Sequence, residues 1–217
     1  RQSGDIFKVN GQIASILGGL KRPVGLGFDG AGRLLIVEEG RGRLLRLESG
    51  AGLAVVAQGM KKPRWIAVAA DGTIYLSAKG LKSPKDKDDD DDNEEEGEVI
   101  LRLAFQSSLP TIFADGFKGL QGLALHEGTL FAAARGRKPS QDDQGGIFKI
   151  PLQNDGAAGP VSRFTQTDIK KPSGLALDGL GALYISAEEI ELKGKRKDAI
   201  GKAAQDGSTT HFASKLE

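Results

Sequence analysis

Four short basic stretches stand out for their spacing: Lys21-Arg22-Pro23, Lys61-Lys62-Pro63-Arg64, Lys118-Gly119 ahead of Leu120, and Lys170-Lys171-Pro172. Each places a lysine two residues before the proline or its leucine counterpart. A second series, Glu39, Lys79, Arg135 and Glu188, falls seven residues after the turn glycines Gly32, Gly72, Gly128 and Gly181. Charges that recur at one position of a repeat gather on one face of the fold. The two series are therefore expected to form a mainly basic rim that draws in an unknown ligand or protein partner of anionic character, such as a phosphate-bearing or acidic polymer. Trp65 is the one aromatic placed for stacking on such a face, and Gln121 and Ser173 add polar groups beside the basic ones. The same lysines and arginines equally serve to keep tight, exposed turns soluble.

Catalytic chemistry finds less support. The chain has no cysteine, which excludes disulfides, thiolate metal sites and a cysteine nucleophile in this segment. Its two histidines do not form a pair: His126 stands at a hairpin turn, on the opposite face from the rim, and His211 in an outer strand. A metal site built from Glu, Asn and Asp could draw on Glu39 and Glu188, but Asn10, Asn93 and Asn154 all lie off the inner strands. No Gly-x-Ser-x-Gly elbow or phosphate-cradling loop occurs. No catalytic residue and no cofactor are assigned, and calcium is the one metal left open.

The 217 residues carry 30 basic and 29 acidic side chains, for a formal net charge of +1. That balance hides a split. Ten acidic residues and one lysine lie between Asp86 and Glu98, a local charge of −9, which leaves +10 on the rest. As a calcium loop this tract fits poorly, because no glycine takes the sixth position and Gly97 stands where the twelfth needs glutamate. It reads as a solvated polyelectrolyte insertion over 80–98, or as an anionic cap folded onto the basic rim.

These charges hang on a repeat. Pro23–Val37, Pro63–Ser77, Leu120–Ala133 and Pro172–Ser186 each read as strand, tight turn and strand, with starts 40, 57 and 52 residues apart. A period near 40 with insertions of 17 and 12 accounts for the spacing. Third strands follow at Arg43–Glu48, Val99–Phe105, Ile147–Leu152 and Ala199–Ala203, and fourth strands at Leu53–Gln58, Thr111–Asp115, Val161–Gln166 and Thr209–Ala213. Asp5–Val9 and Gln12–Leu17 match the third and fourth strands of a further copy. Four antiparallel strands per repeat make a β-propeller blade. The inner strands Leu34–Val37, Ile74–Leu76 and Leu183–Ile185 are apolar on both faces, as a sheet covered on both sides requires. Further insertions at Gly136–Gly145 and Glu188–Asp198 are expected as loops on the same face as the basic turns.

The pattern Pro-x-Gly-Leu-Ala-x-Asp-x-x-Gly-x-Leu-Tyr-Ile-Ser, clearest at Pro172–Ser186, resembles the NHL repeat and the six-bladed propellers of the gluconolactonase, sugar dehydrogenase and streptogramin-lyase type. The resemblance covers nearly the whole chain. It implies an all-β propeller with about four and a half four-stranded blades present, one domain over 1–217, as part of a five- or six-bladed ring with further strands outside this segment. It also implies two classes of function. One is a recognition scaffold that binds on the loop-rich face. The other is a sugar dehydrogenase or lactonase with catalytic residues partly outside the segment. No apolar run is long enough for a membrane helix, and the bacterial relatives of this fold favour a secreted or periplasmic location.

Overall fold

The computed structural model describes residues 3–9, 12–50, 52–83, 97–138, 145–192 and 195–214. Apart from a 3-10 turn at Glu39–Arg41, the regular structure there is strand: β1 (Ser3–Val9), β2 (Ile13–Lys21), β3 (Pro23–Phe28), β4 (Leu34–Glu38), β5 (Arg43–Leu47), β6 (Leu53–Gln58), β7 (Met60–Lys61), β8 (Ile66–Val68), β9 (Ile74–Ala78), β10 (Gly80–Leu81), β11 (Glu98–Leu103), β12 (Thr111–Lys118), β13 (Leu123–His126), β14 (Thr129–Ala134), β15 (Gly136–Arg137), β16 (Gly146–Pro151), β17 (Ser162–Arg163), β18 (Ile169–Leu177), β19 (Leu183–Leu192), β20 (Lys195–Ala203) and β21 (Thr209–Ser214). Among the described residues no helix is long and apolar enough to cross a membrane.

One turn recurs and sets the hairpins. The N–H of Gly32, Gly72 and Gly181 donates to the carbonyl three residues back, on Asp29, Ala69 and Asp178, at 2.8, 2.9 and 3.1 Å. The Asp29 carboxylate accepts the N–H groups of Ala31 and Arg33, and that of Asp178 accepts those of Leu180 and Ala182. The aspartate thus supplies the acceptors that the tight loop lacks, and the glycine supplies a left-handed residue. The β13–β14 hairpin closes instead on Glu127-Gly128, both at positive φ, with His126 in register with Thr129.

The chain forms two compact units, Arg1–Asn93 with Leu101–Ile112 and Glu94–Ile100 with Phe113–Glu217. The first holds the two-stranded sheet β1-β2 and the four-stranded antiparallel sheet β3-β4-β5-β6. Ile6 and Leu20 of β1–β2 pack there against Ile36 and Leu45 in one buried cluster. Strand β4 is buried from Leu35 to Glu38 and β9 along its whole length, so both faces of these inner strands are covered as their composition predicts. The second unit holds the sheets β13-β14-β16-β17 and β18-β19-β20-β21. Its core gathers Ala133, Ile147, Ile169, Leu183, Ile185 and Ile190. In the first unit β8 pairs with β9, Ile66 opposite Leu76, and in the second β12 pairs with β15, Phe117 opposite Arg137.

Three sequence expectations change. The fourth strand expected over Val161–Gln166 shrinks to Ser162–Arg163, because Arg163 itself takes the carbonyls of Gly145, Thr165 and Thr167 and the Asp168 carboxylate. In its described residues the insertion Glu188–Asp198 is not a loop: β19 and β20 go on pairing across a register shift, Ala187 opposite Ala199 before it and Ile190 opposite Lys197 after it. Buried Ile190 ties that extension to the core. The insertions after β9 and β14 begin as ordered ribbons, with Gly80–Leu81 paired to Met60–Lys61 and Gly136–Arg137 paired to Phe117–Lys118. The acidic tract, with its calcium and capping readings, lies outside the described residues.

Candidate functional site

Each blade begins on the same four-residue device. A buried apolar anchor comes first: Leu20, Met60, Phe117 or Ile169. The recurring lysine follows, and then a residue in the left-handed region: Arg22 at φ 52°, Lys62 at 42°, Gly119 at 59°, Lys171 at 47°. Pro23, Pro63, Leu120 or Pro172 comes next, three residues ahead of Leu26, Ile66, Leu123 or Leu175 of the inner strand. The anchor is a signal the sequence carries but hides, because four different residue types share the position.

The loops that lead into a blade meet the loops that leave its second strand. The N–H of Glu39 donates to the Arg22 carbonyl at 3.0 Å, that of Lys79 to Lys61 at 2.9 Å, and that of Arg135 to Lys118 at 2.8 Å. In the last blade Lys170 is in register with Glu189. Both charge series therefore stand at one end of each sheet, opposite the Asp-Gly turns. The glycine of the Pro-x-Gly motif holds neighbouring backbones close. A Cβ on Gly25 would come 2.3 Å from the Arg64 carbonyl oxygen, and one on Gly122 would come 2.3 Å from that of Ser173.

In the first unit two adjacent carboxylates dominate this end. Glu38, with no exposed surface, accepts the Lys21 N–H at 2.6 Å and the guanidiniums of Arg41 and Arg43. Burial alone would raise its pKa. The Lys21 N–H, Arg43 and Arg41 outweigh burial and hold the carboxyl below the ordinary glutamate value. Glu39 is buried as well and pairs with Arg22 at 3.2 Å. In the second blade the N–H groups of Arg64 and Trp65 donate to the carbonyl and hydroxyl oxygens of Ser77 at 2.8 and 3.0 Å. That fixes the loop carrying Lys61, Lys62, Arg64 and the half-buried Trp65.

In the second unit Gln121 donates its N–H to Ala133, and the stem of Arg135 covers Gly119 beside Lys118. Lys171 binds Glu188 at 2.6 Å, and Lys170 lies 3.0 Å from Glu189 and 3.6 Å from Glu188. Lys171 first, then Lys170, pulls the Glu188 carboxyl below its usual range, and Glu189 with Glu188 raises the Lys170 ammonium above its own. Ser173 and Ser186 share a hydrogen bond at 3.0 Å beside them. The expected basic edge is thus a mixed one at Arg22–Glu39 and at Lys170–Lys171–Glu188, with acceptors beside donors.

The histidines stay away from this end. His126 packs beneath the Gly181 turn, 3.9 Å from Glu127, and His211 is exposed on β21. Among the described residues no three His, Cys, Asp or Glu side chains converge. At the Asp-Gly end of the first unit a half-open cavity of about 700 Å³ is lined by Asp29, Arg33, Arg46, Asp71 and Phe105.

Solved structures similar to this one include a gluconolactonase from Xanthomonas campestris, at TM-score 0.71 and 21% identity over 93% of this chain and 65% of that one. The chain is a β-propeller. A putative gluconolactonase matches at TM-score 0.70 and 19% identity, over 95% of this chain and 68% of its own. A streptogramin B lyase matches at TM-score 0.57 and 13% identity, over 88% and 54%. The propeller segment thus spans just under two thirds of the Xanthomonas protein's length. No family model and no curated protein matches its sequence.

Proposed function

We propose that this propeller binds a neutral, hydroxyl-rich sugar lactone at the blade ends where the lead-in and exit loops meet, and hydrolyses it. The observation that carries the reading is the pairing of carboxylate with cation there: Arg22 with Glu39, and Lys170 and Lys171 with Glu188. A polyanion needs a surface of one sign, whereas sugar hydroxyls need acceptors and donors side by side. Glu188 is held ionised and Lys170 protonated across neutral pH, so these groups orient hydroxyls rather than shuttle protons. The likeness to two gluconolactonase-type structures supplies the reaction class. Water adds to the lactone carbonyl, the ring C–O ester bond breaks, and the aldonic acid formed releases a proton.

The test is proton release from glucono-1,5-lactone above the spontaneous rate, with and without added divalent cations, alongside the shift in melting temperature with the lactone. No acceleration and no shift refutes the reading. A second reading, recognition of an anionic partner on the same loops, is favoured by the lead-in loop of the second blade, which carries Lys61, Lys62 and Arg64 and no acidic residue. A thermal shift with a polyanion that vanishes at high salt selects it.

A further inference from the structure

A cation recurs near the end of the third strand of each repeat: Arg46, Arg102, Lys149 and Lys202. What stands opposite it on the second strand differs. Lys202 is in register with Tyr184, and its ammonium lies 5.0 Å from the centre of that ring and 3.4 Å from the Asp178 carboxylate. Phe131 stands opposite Lys149, and Tyr75 accepts a hydrogen bond from Arg102. In the first blade Leu35 takes the place of the ring, opposite Arg46. The half-open cavity of about 700 Å³ opens at that pair, and all the residues lining it belong to the first unit.

The carboxylates around the cavity have their oxygens engaged. In Asp29, Oδ1 accepts the N–H groups of Ala31 and Arg33, and Oδ2 takes the Arg33 Nε at 2.8 Å. Asp71 accepts the N–H and hydroxyl of Thr73 at 2.9 and 3.1 Å. Glu48 takes the Arg46 Nε at 2.6 Å and stands 3.7 Å from an Arg33 Nη. A guanidinium carries five N–H donors, and both short contacts fall on Nε. The Nη ends of Arg33 and Arg46 therefore bring more donors to the cavity than its carboxylates have acceptors to meet.

The remaining wall is apolar, with Val55, Ile74 and Phe105. Phe105 is 64% exposed, and its ring backs onto the Gly72 turn, where an added Cβ would come 2.5 Å from the ring Cδ2. The turn that presents it closes from the Ser107 N–H to the Ala104 carbonyl at 2.9 Å and holds Gln106 at φ 60°, a left-handed conformation that favours glycine.

We propose that this cavity binds an aromatic carboxylic acid. The ligand's ring lies against Arg46 and Phe105, supplying the first blade with what Tyr75, Phe131 and Tyr184 supply to the others. Its carboxylate takes the Nη donors of Arg33 and Arg46. A sugar would need acceptors, which are engaged, and a free phosphate would make no use of the apolar wall. The site lies at the Asp-Gly end, away from the loops assigned to the lactone, and stands whether or not that reading does.

The probe is 2-naphthoate, titrated into the 217-residue chain by isothermal calorimetry at low ionic strength. Saturable one-to-one binding is expected, with the uncharged 2-naphthamide and the saturated cyclohexanecarboxylate each weaker by about tenfold or more. Leu35→Tyr installs the ring of the other blades and should abolish binding without lowering the melting temperature. Phe105→Ala and Arg46→Gln should each weaken binding about tenfold. Lys202→Gln, at the cation that already has its ring and carboxylate, should leave binding unchanged. Phe105 is exposed, so Phe105→Ala should melt at the parent temperature, which keeps the test decisive if the buried Leu35 position rejects tyrosine. No saturable binding of 2-naphthoate, equal binding of either analogue, or full binding by Phe105→Ala overturns the proposal. So does a loss on Lys202→Gln that matches the loss on Arg46→Gln.

Discussion

Glu38→Gln tests whether the first unit is held by a buried carboxylate. The wild-type side chain has no exposed surface and takes three donors: the Lys21 N–H and the guanidiniums of Arg41 and Arg43. Glutamine keeps one acceptor oxygen and turns an NH₂ toward a guanidinium, so at least one charge-assisted bond becomes a donor–donor contact. Such a bond is worth about 1.5–3 kcal/mol. The side chains of Arg41 and Arg43 remain 45% and 27% exposed, so solvent relieves part of the loss. A net cost of about 1.5–2 kcal/mol follows, and at roughly 2–4 °C per kcal/mol for a chain this long the melting temperature should fall by about 3–8 °C.

Trp65 is the only tryptophan and lies in the same unit, so its fluorescence reports the relevant transition. The pH dependence has a fixed sign. The folded-state pKa of Glu38 is depressed, so its contribution is complete above the unfolded-state glutamate value and is lost as pH falls through the folded one. The gap between wild type and variant should therefore be widest at neutral pH and close in acid. Glu48→Gln, at a one-third-exposed partner of Arg46, should shift the melt by no more than about 0.5 kcal/mol. A Glu38→Gln melt within about 2 °C of wild type at pH 7 would refute the reasoning, as would a gap unchanged down to pH 4.

Gly122→Ala should destabilise the second unit by about 1–3 kcal/mol in calorimetry, because its Cβ would lie 2.3 Å from the Ser173 carbonyl oxygen and 3.1 Å from the Leu175 nitrogen. Gly179→Ala, with nothing within 4 Å of the added carbon, is the neutral control, and equal effects of the two would dismiss the close approach as a constraint. Lys171→Met should raise the Glu188 pKa toward the ordinary value, read by carboxyl carbon NMR, since Lys171 is the main cause of its depression. An unmoved Glu188 would mean that the pair does not form in solution.

The inner hairpins were legible because their signals are local. Asp29 and Asp178 cap their own turns, the glycines take the left-handed positions, and Leu34–Val37 is apolar on both faces. Outer strands were harder to read, since half of their residues face water. At Val161–Gln166 the competition came from Arg163, which draws off the carbonyls a ladder would use. Glu188–Asp198 looked like a loop because its composition is charged, yet buried Ile190 anchors a two-stranded extension. The site was half legible. Sequence gives the sign of Arg22, Glu39, Lys171 and Glu188 but not which carboxylate sits 3.2 or 2.6 Å from which cation.

The lead-in device shows why fold and function are hard to separate at this end. The residue ahead of the strand must turn left-handed, which costs an L side chain about 1–2 kcal/mol, and a following proline restricts it further. Gly119 meets the requirement without strain in one blade, while Arg22, Lys62 and Lys171 carry a long cationic side chain through it in the other three. Turn geometry alone would select glycine four times, so the charge is what the strained positions retain. Arg22 and Lys171 place that charge beside Glu39 and Glu188. A cation kept where the backbone resists it, and set against a carboxylate, is the physical reason to test the proposed lactone site at these loops rather than at the half-open cavity at the Asp-Gly end.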